Sequence, residues 1–396
     1  MGANKEKIKH LEIILKISER CNINCDYCYV FNMGNQLATE SNPVISMSNI
    51  LSLRGFFERS VKEYEINVLQ VDFHGGEPLM IKKSRFDEMC EILKGGNYSN
   101  SKLELALQTN GILIDEEWIV LFEKHKVHVS ISVDGPKHIN DRHRLDRKGK
   151  STYEGTIKGF RLLQDAWESG RIPGEPGILS VANAKANGAE IYRHFVDVLD
   201  CKRIDFLIPD DHHNDEVDSQ GIGMFLTEAL DEWFSDGNSG VFVRIFNTYL
   251  GTMLNHQFSR VLGMSANVES AYAFTVTSDG IIRIDDTLRS TSDKIFDALG
   301  HVDEMSLSDV FEHNNFKEYI YLNAVLPAGC HGCLWSNICH GGRLVNRFSL
   351  DGRFNNKTIF CSSMKIFLSR AVAHLLASGI EEETIIKNIE KKEISV

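Results

Sequence analysis

The chain has 396 residues, Lys+Arg 43 against Asp+Glu 55, and a formal net charge of −12. That length exceeds one ordinary core, so two or more domains, or a barrel with an extension, are expected. The acid excess argues against non-specific nucleic-acid binding, and no apolar run approaches the ~20 residues of a membrane span.

The opening segment, Met1-Gly2-Ala3-Asn4-Lys5-Glu6-Lys7, lacks the apolar stretch of a secretory signal. From about residue 10 to 215, β-rich runs alternate with helical patterns. Strands are predicted at 11–17, 67–73, 102–107, 127–133, 177–182 and 203–208. Helices are predicted between them at 48–65, 84–93, 115–124, 152–168 and 187–199, with Ser48 and Asp115 as N-caps. Repeated βα units with nearly unbroken apolar strands predict an α/β fold whose parallel sheet is buried on both faces. Helical stretches at 222–235 and 241–257 come next. An alternating pair, 272–277 and 281–285, around Ser278-Asp279-Gly280 reads as a β-hairpin. A cysteine-rich segment and a charged helical tail with Glu390-Lys391-Lys392 end the chain. The expected divisions are 1–220, 221–300 and 301–396.

The nine cysteines carry the chemistry. Seven fall into two clusters, a pattern of metal ligation in a cytoplasmic chain rather than of disulfides. Cys90 and Cys201 stand alone and read as core thiols. Directly after the first strand stands Cys21-Asn22-Ile23-Asn24-Cys25-Asp26-Tyr27-Cys28, a C-x₃-C-x₂-C spacing. Three thiolates on a short loop can hold three irons of a 4Fe–4S cubane. The fourth iron, left open, can chelate a small molecule through an amine and a carboxylate. Ferredoxin spacings use four cysteines per cluster and do not match. A zinc loop, the alternative, prefers paired C-x₂-C knuckles with a fourth ligand nearby. Further polar motifs end the later strands: His74-Gly75-Gly76-Glu77-Pro78, Gln108-Thr109-Asn110-Gly111, and Ser132-Val133-Asp134-Gly135-Pro136 followed by Asp141-Arg142-His143-Arg144. Two adjacent glycines let a backbone approach a ligand closely. The second cysteine group is Cys330-x₂-Cys333-x₅-Cys339 with Cys361 downstream. Four thiolates close a cubane with no open iron, or hold one zinc ion.

The first cysteine loop followed by the Gly-Gly-Glu-Pro turn resembles the radical S-adenosylmethionine (radical SAM) enzymes. Longer strings resemble one branch, the cyclophane-forming radical SAM/SPASM maturases of ribosomally made peptides. They include Cys28-Tyr29-Val30-Phe31-Asn32, Asp205-Phe206-Leu207-Ile208-Pro209 and Cys339-His340-Gly341-Gly342-Arg343, and the resemblance runs from about residue 11 to 370. It implies a partial (β/α)₆ TIM-like barrel with a C-terminal SPASM-like iron–sulfur extension and its chemistry at the C-terminal strand ends. It implies a SAM-binding 4Fe–4S cluster on Cys21, Cys25 and Cys28, with Gly75, Gly76 and Glu77 at the SAM amino group. Ser132 and Arg144, with Arg142 competing, would meet the carboxylate and ribose, Asn183 the ribose, and Tyr27 the adenine. The fuller SPASM pattern has cysteines where this chain has Asp285 and Arg343. One auxiliary 4Fe–4S cluster, on Cys330, Cys333, Cys339 and Cys361, is therefore expected rather than two.

The implied reaction takes a hydrogen from a side-chain β-carbon of a precursor peptide and joins that carbon to a nearby aromatic ring. A base must then take a proton. Asp210 is the first candidate, with Asp211, His212 and Asp285 behind it. The implied partners are the precursor peptide with its leader and an external one-electron donor such as flavodoxin or ferredoxin. About twenty residues precede Cys21, too few for a leader-binding domain. The leader is expected on the barrel or extension, for example along an exposed hairpin edge at 272–277. The alternatives are a sulfatase maturase, which would be expected to carry both auxiliary clusters, a thioether former, an epimerase, or a non-catalytic iron–sulfur or zinc scaffold.

Overall fold

The computed structural model describes residues 6–254 and 271–390. The end of the helix expected at 241–257, the start of the N-terminal segment and the Lys391-Lys392 tail lie outside the described residues. One open sheet organises the rest. Its strands are β1 (Lys7–Ser18), β2 (Glu65–Gly75), β3 (Lys102–Thr109), β4 (Val127–Ser132), β5 (Gly177–Val181), β6 (Arg203–Leu207), β7 (Phe242–Val243), β8 (Ala271–Val276), β9 (Ile281–Arg283) and β10 (Gly300–His301). The order is β10-β9-β8-β1-β2-β3-β4-β5-β6-β7. All pairs from β8 through β7 are parallel, and β9 and β10 are antiparallel additions. The sheet does not close on itself, so the α/β architecture is a partial barrel.

Burial of the two faces differs between strands. On β2, Leu69, Val71 and Phe73 are fully buried, whereas Gln70, Asp72 and His74 between them keep partial exposure. The expectation of strands buried on both faces therefore holds for β1, whose Glu12, Lys16 and Ser18 are buried like Leu11, Leu15 and Ile17, but not for β2. Side chains alternate across a strand, and an unclosed barrel leaves its inner face open to solvent and ligands. The outer face packs on α1 (Met47–Glu63), whose buried Ile50, Leu53, Phe57 and Val61 recur at helical spacing. Ser46, not Ser48, caps it by accepting from Asn49 N, and the Ser48 hydroxyl pairs with Ser46 Oγ at 2.7 Å instead. The Asp115 cap stands as expected, accepting from Trp118 N at 3.0 Å ahead of Glu116–His125. The helix expected at 187–199 is α-helical over Gly188–Arg193 and continues as one π turn, His194–Val198.

The hairpin is not a free edge. Residues His10–Leu15 of β1 pair with Ala271–Val276, and Thr275 and Val276 also pair with β9. Residues 275 and 276 therefore lie inside the sheet, and β1 takes one side of 272–274, so the segment is not the two-stranded ribbon edge expected for a leader. Cys90 and Cys201 are buried, as core thiols should be.

The core under β2 and β3 is aromatic. Phe86 meets Phe73 at 4.9 Å and Trp118 at 5.3 Å between ring centroids, both edge to face, and is fully buried. Phe86→Ala is expected to cost about 3–5 kcal/mol of unfolding free energy. Val120→Ala on the exposed side of the neighbouring helix should stay within about 0.5 kcal/mol, as read by chemical denaturation.

Candidate active site

The polar motifs all leave the C-terminal ends of strands, so the sheet gathers them at one rim. The loop after β1 is held through its backbone. Asn32 Nδ2 donates to Cys25 O at 2.6 Å, Asn32 N to Cys28 O at 2.7 Å, and Arg147 Nε to Cys21 O at 2.9 Å. Burial pushes the Cys21 thiol up to about 12 and the Cys25 thiol up to about 11. Three such thiols become thiolates together only against a cationic group, which is what a metal centre provides. A tetrahedral zinc ion with Zn–S near 2.3 Å would draw its sulfurs to within ~3.8 Å of one another. Among the described residues only Asp87, Glu91 and His125 bring three ligand atoms within 4.8 Å, so neither cysteine group is closed to that degree. The Asp87 group is already neutralised by Lys124, which lies 2.6 Å from Asp87 and 3.0 Å from Glu91.

The two glycines seat the second motif against this loop. Gly75 has φ +144°, and a Cβ there would stand 2.0 Å from Ser18 O; one on Gly76 would stand 2.6 Å from Arg20 O. Gly76 N and Glu77 N donate to Ser18 O and Arg20 O, each at 2.8 Å. The Glu77 carboxylate is buried and accepts from Leu79 N, Thr109 Oγ1 and Asn110 N at 2.7–2.9 Å. It latches β2 to β3.

The arginines separate. Arg144 is buried and its Nη1 donates to Tyr27 Oη at 2.6 Å; Arg142 reaches outward to Lys185 O at 3.2 Å. Tyr27 Oη in turn donates to Asp134 Oδ2 at 2.5 Å, and Asp134 Oδ1 accepts from Val181 N at 3.1 Å. Asp134 thus ties the cysteine loop, Arg144 and β5 together, a role sequence reading missed. The Tyr27 hydroxyl is committed to this set. Ser132 Oγ accepts from Gln108 Nε2 at 2.8 Å. Asn183 Nδ2 and His143 Nε2 are 2.9 Å apart, and His143 Nδ1 lies 2.9 Å from Asp26, so these three side chains bridge the cysteine loop to the end of β5.

A buried ionic group flanks the loop on its other side. Lys16 is fully buried and ion-paired with Asp286, which also meets Arg289 Nη2 at 2.6 Å. Lys16 Nζ lies 3.2 Å from His74 Nδ1 and 3.4 Å from Tyr29 Oη. Burial alone would raise the Asp286 carboxyl, but Arg289 and Lys16 hold it well below the usual carboxylate range. Sequence reading missed this group too. Its one signal was a lysine in the otherwise apolar end of a strand, Ile13-Ile14-Leu15-Lys16-Ile17.

The base candidates lie near by. Asp210 pairs with Arg343 at 2.8 Å, and burial raises its carboxyl despite that cation. Asp211 is raised by burial and by Asp215 and Asp210. Asp285 accepts from Thr287 N and Oγ1 at 3.0 and 2.7 Å and lies within electrostatic reach of Asp210 and Arg343. His212 is buried, 3.0 Å from Asp215. The two positions where the resembled pattern has cysteines, 285 and 343, therefore converge on Asp210 as opposite charges. The loop after β6 is clamped to the C-terminal extension: Asn346 Nδ2 donates to Pro209 O and Asp211 O at 2.8 Å, and Arg343 Nη1 to Ile208 O at 3.1 Å. In that extension Cys330, Cys333, Cys339 and Cys361 line one cavity.

Partial barrel, cysteine loop and glycine turn are those of radical SAM enzymes, and residues 15–178 match the Radical SAM superfamily model. Along nearly its whole length the chain is homologous to anaerobic sulfatase-maturating enzymes. It is 28% identical over 381 residues to a cysteine-type enzyme of Clostridium novyi (strain NT), covering 93% of this chain and 97% of that one. It is 25% identical to a serine-type enzyme of Bacteroides thetaiotaomicron, covering 86% and 84%. The solved structure of native anSMEcpe with bound AdoMet and Cp18Cys peptide superposes with TM-score 0.77 at 26% identity, covering 94% of this chain and 99% of that one. None of these relatives is a cyclophane-forming maturase; they favour the sulfatase-maturase alternative.

Burial, then Lys16 beside it, pushes His74 down to about 3. The unfolded side chain titrates near 6.5, so between those values the unfolded chain binds the extra proton and stability is lost as pH falls. Urea unfolding from neutral pH to about 4.5 should show a steeper decline than in His74→Gln, by up to about 1.4 kcal/mol per pH unit.

Proposed function

We propose that this chain is a peptide maturase that removes two hydrogens from a side chain of a peptide, starting at its β-carbon. The observation that carries the reading is the end-to-end likeness to a structure holding AdoMet and a peptide, together with a cysteine loop that leaves one cluster corner open. Cys21, Cys25 and Cys28 would hold the cluster, and Arg144 would meet the SAM carboxylate. With SAM bound, that centre supplies a carbon radical that abstracts hydrogen. The chain's own work is placement and proton handling. Asp134 fixes Arg144 and Tyr27, and the clamped loop after β6 presents Asp210 at the rim. Asp210 accepts the proton, because burial raises its basicity and Arg343 stabilises its charged form before transfer. Oxidising a serine or cysteine β-carbon in this way gives an aldehyde or thioaldehyde.

The cross-linking reading keeps one specific support. Asp285 and Arg343 replace two cysteines of the fuller auxiliary pattern, a departure from an enzyme that carries both auxiliary clusters. The four C-terminal cysteines then hold one auxiliary cluster. Their shared cavity supports this, as does the Cys339 thiol, which burial, then Cys330 and Cys361, push up to about 12.

Co-expression with candidate precursor peptides, followed by tandem mass spectrometry, tests the reaction. The expected product is two hydrogens lighter when the target is serine, and a hydrazide probe captures it. A product equally light, inert to hydrazide and resistant to fragmentation between two residues would establish the cross-link instead; an unchanged mass would sink both. Asp210→Asn should lower product formation at least about 100-fold while SAM cleavage continues. Anaerobically reconstituted protein should hold about eight irons per chain, falling to about four when Cys21, Cys25 and Cys28 are all replaced by Ala. Zinc in place of the remaining four irons would overturn the auxiliary assignment.

A further inference from the structure

Beside the C-terminal cysteines the surface opens into a pocket of ≈270 Å³ whose wall includes His213, Lys357, Cys361 and Lys365. It shares Lys357, Thr358, Cys361 and Lys365 with the cavity enclosed by the four cysteines. No aspartate or glutamate lines either space, in a chain whose formal charge is −12. Lys357, Lys365 and His213 are exposed. Among the described residues neither lysine has an ion-pair partner. The apolar side chain next to Cys333, Leu334, is 58% exposed, and Trp335 beside it is half-buried. Two unneutralised cations around an apolar patch, beside metal-ligand candidates of which Cys333, Cys339 and Cys361 are partly exposed, form a small surface with one sign of charge. Transient electron-transfer partners use interfaces of this kind: limited in area and matched in charge.

We propose that this face is the landing site for the acidic rim of a one-electron carrier protein, with carrier carboxylates seated against Lys357 and Lys365. The inference rests on the reading that the four cysteines hold a redox cluster. The electron count calls for such a partner. Oxidising the substrate radical releases one electron together with the proton taken by Asp210, and an oxidised carrier gains that one electron without making or breaking a bond. Cys361 forms part of the pocket wall, so a docked carrier touches the ligand set itself. A leader peptide fits less well, since it is an extended chain and this is a compact pocket.

The test uses reconstituted holoenzyme and oxidised flavodoxin as the probe. Binding is measured at about 50 mM and about 300 mM salt, with zero-length carbodiimide cross-links mapped by mass spectrometry. The Lys357→Glu/Lys365→Glu double variant should weaken flavodoxin binding at least about tenfold, and raised salt should weaken the wild type comparably. Lys94→Glu, on a distant exposed helix end, should change nothing. Cross-links should fall on Lys357 and Lys365. Unchanged affinity in the double variant, cross-links elsewhere, or loss of precursor-peptide binding with flavodoxin binding intact would each overturn the proposal. If the double variant fails to retain iron, Lys365→Ala and the wild-type cross-link map decide the matter. SAM cleavage and hydrogen transfer from the peptide, driven by dithionite, consume an electron and need no acceptor, so they report on the maturase reading separately.

Discussion

A lysine with no access to water cannot keep its charge without a partner, and this constraint governs the rim of the barrel. Lys16 satisfies it through Asp286, which is shared with Arg289. Removing one member of such a set strands a buried charge, at about 3–5 kcal/mol, while the intact set gains little over apolar packing. Its value here is positional. Lys16 sits five residues before the first ligand cysteine, His74 opens the glycine turn, and Asp286 follows β9. One ionic contact therefore registers the cysteine loop, the glycine turn and the hairpin against each other.

The second constraint is steric. The backbone after β2 passes so close to the backbone after β1 that no side chain fits at residues 75 and 76. Hydrogen bonds from Gly76 N and Glu77 N use that closeness, and the Glu77 carboxylate carries the registration on to β3. Asp134 does the same between β4, β5 and the cysteine loop. The rim is thus a chain of carboxylates, each accepting from the neighbouring strand's exit. It holds the three thiols in place largely through bonds of the backbone around them.

Much of this was legible beforehand. The six barrel strands fall within a few residues of their expected places, because β-branched runs and polar exits mark them well. The cysteine motifs were legible because ligand spacing is local. Features that depend on distant partners were not. Ser46 and Ser48 are equal as caps until the chain's entry angle is known. The inner-face polarity of β2, with Gln70, Asp72 and His74, was read as part of an apolar run. The Tyr27–Asp134–Arg144 contact spans more than a hundred residues. The hairpin looked like an edge because nothing in 272–277 announces that β1 will pair with it. The branch assignment lacks support among the relatives for a related reason: it rested on short shared strings, whereas whole-length likeness appears only when the entire chain is aligned.

The clamp between the loop after β6 and the extension has a consequence for how such enzymes diverge. Pro209 and Asp211 offer carbonyls to Asn346, and Ile208 offers one to Arg343, while Asp210 itself answers Arg343. The surroundings of Asp210 are therefore built half from each region of the sequence. A tail borrowed from a kindred protein would arrive without its counterpart handhold, leaving a guanidinium or an acid stranded at the seam. Recombination at that junction is disfavoured, and the two regions are constrained to drift in step.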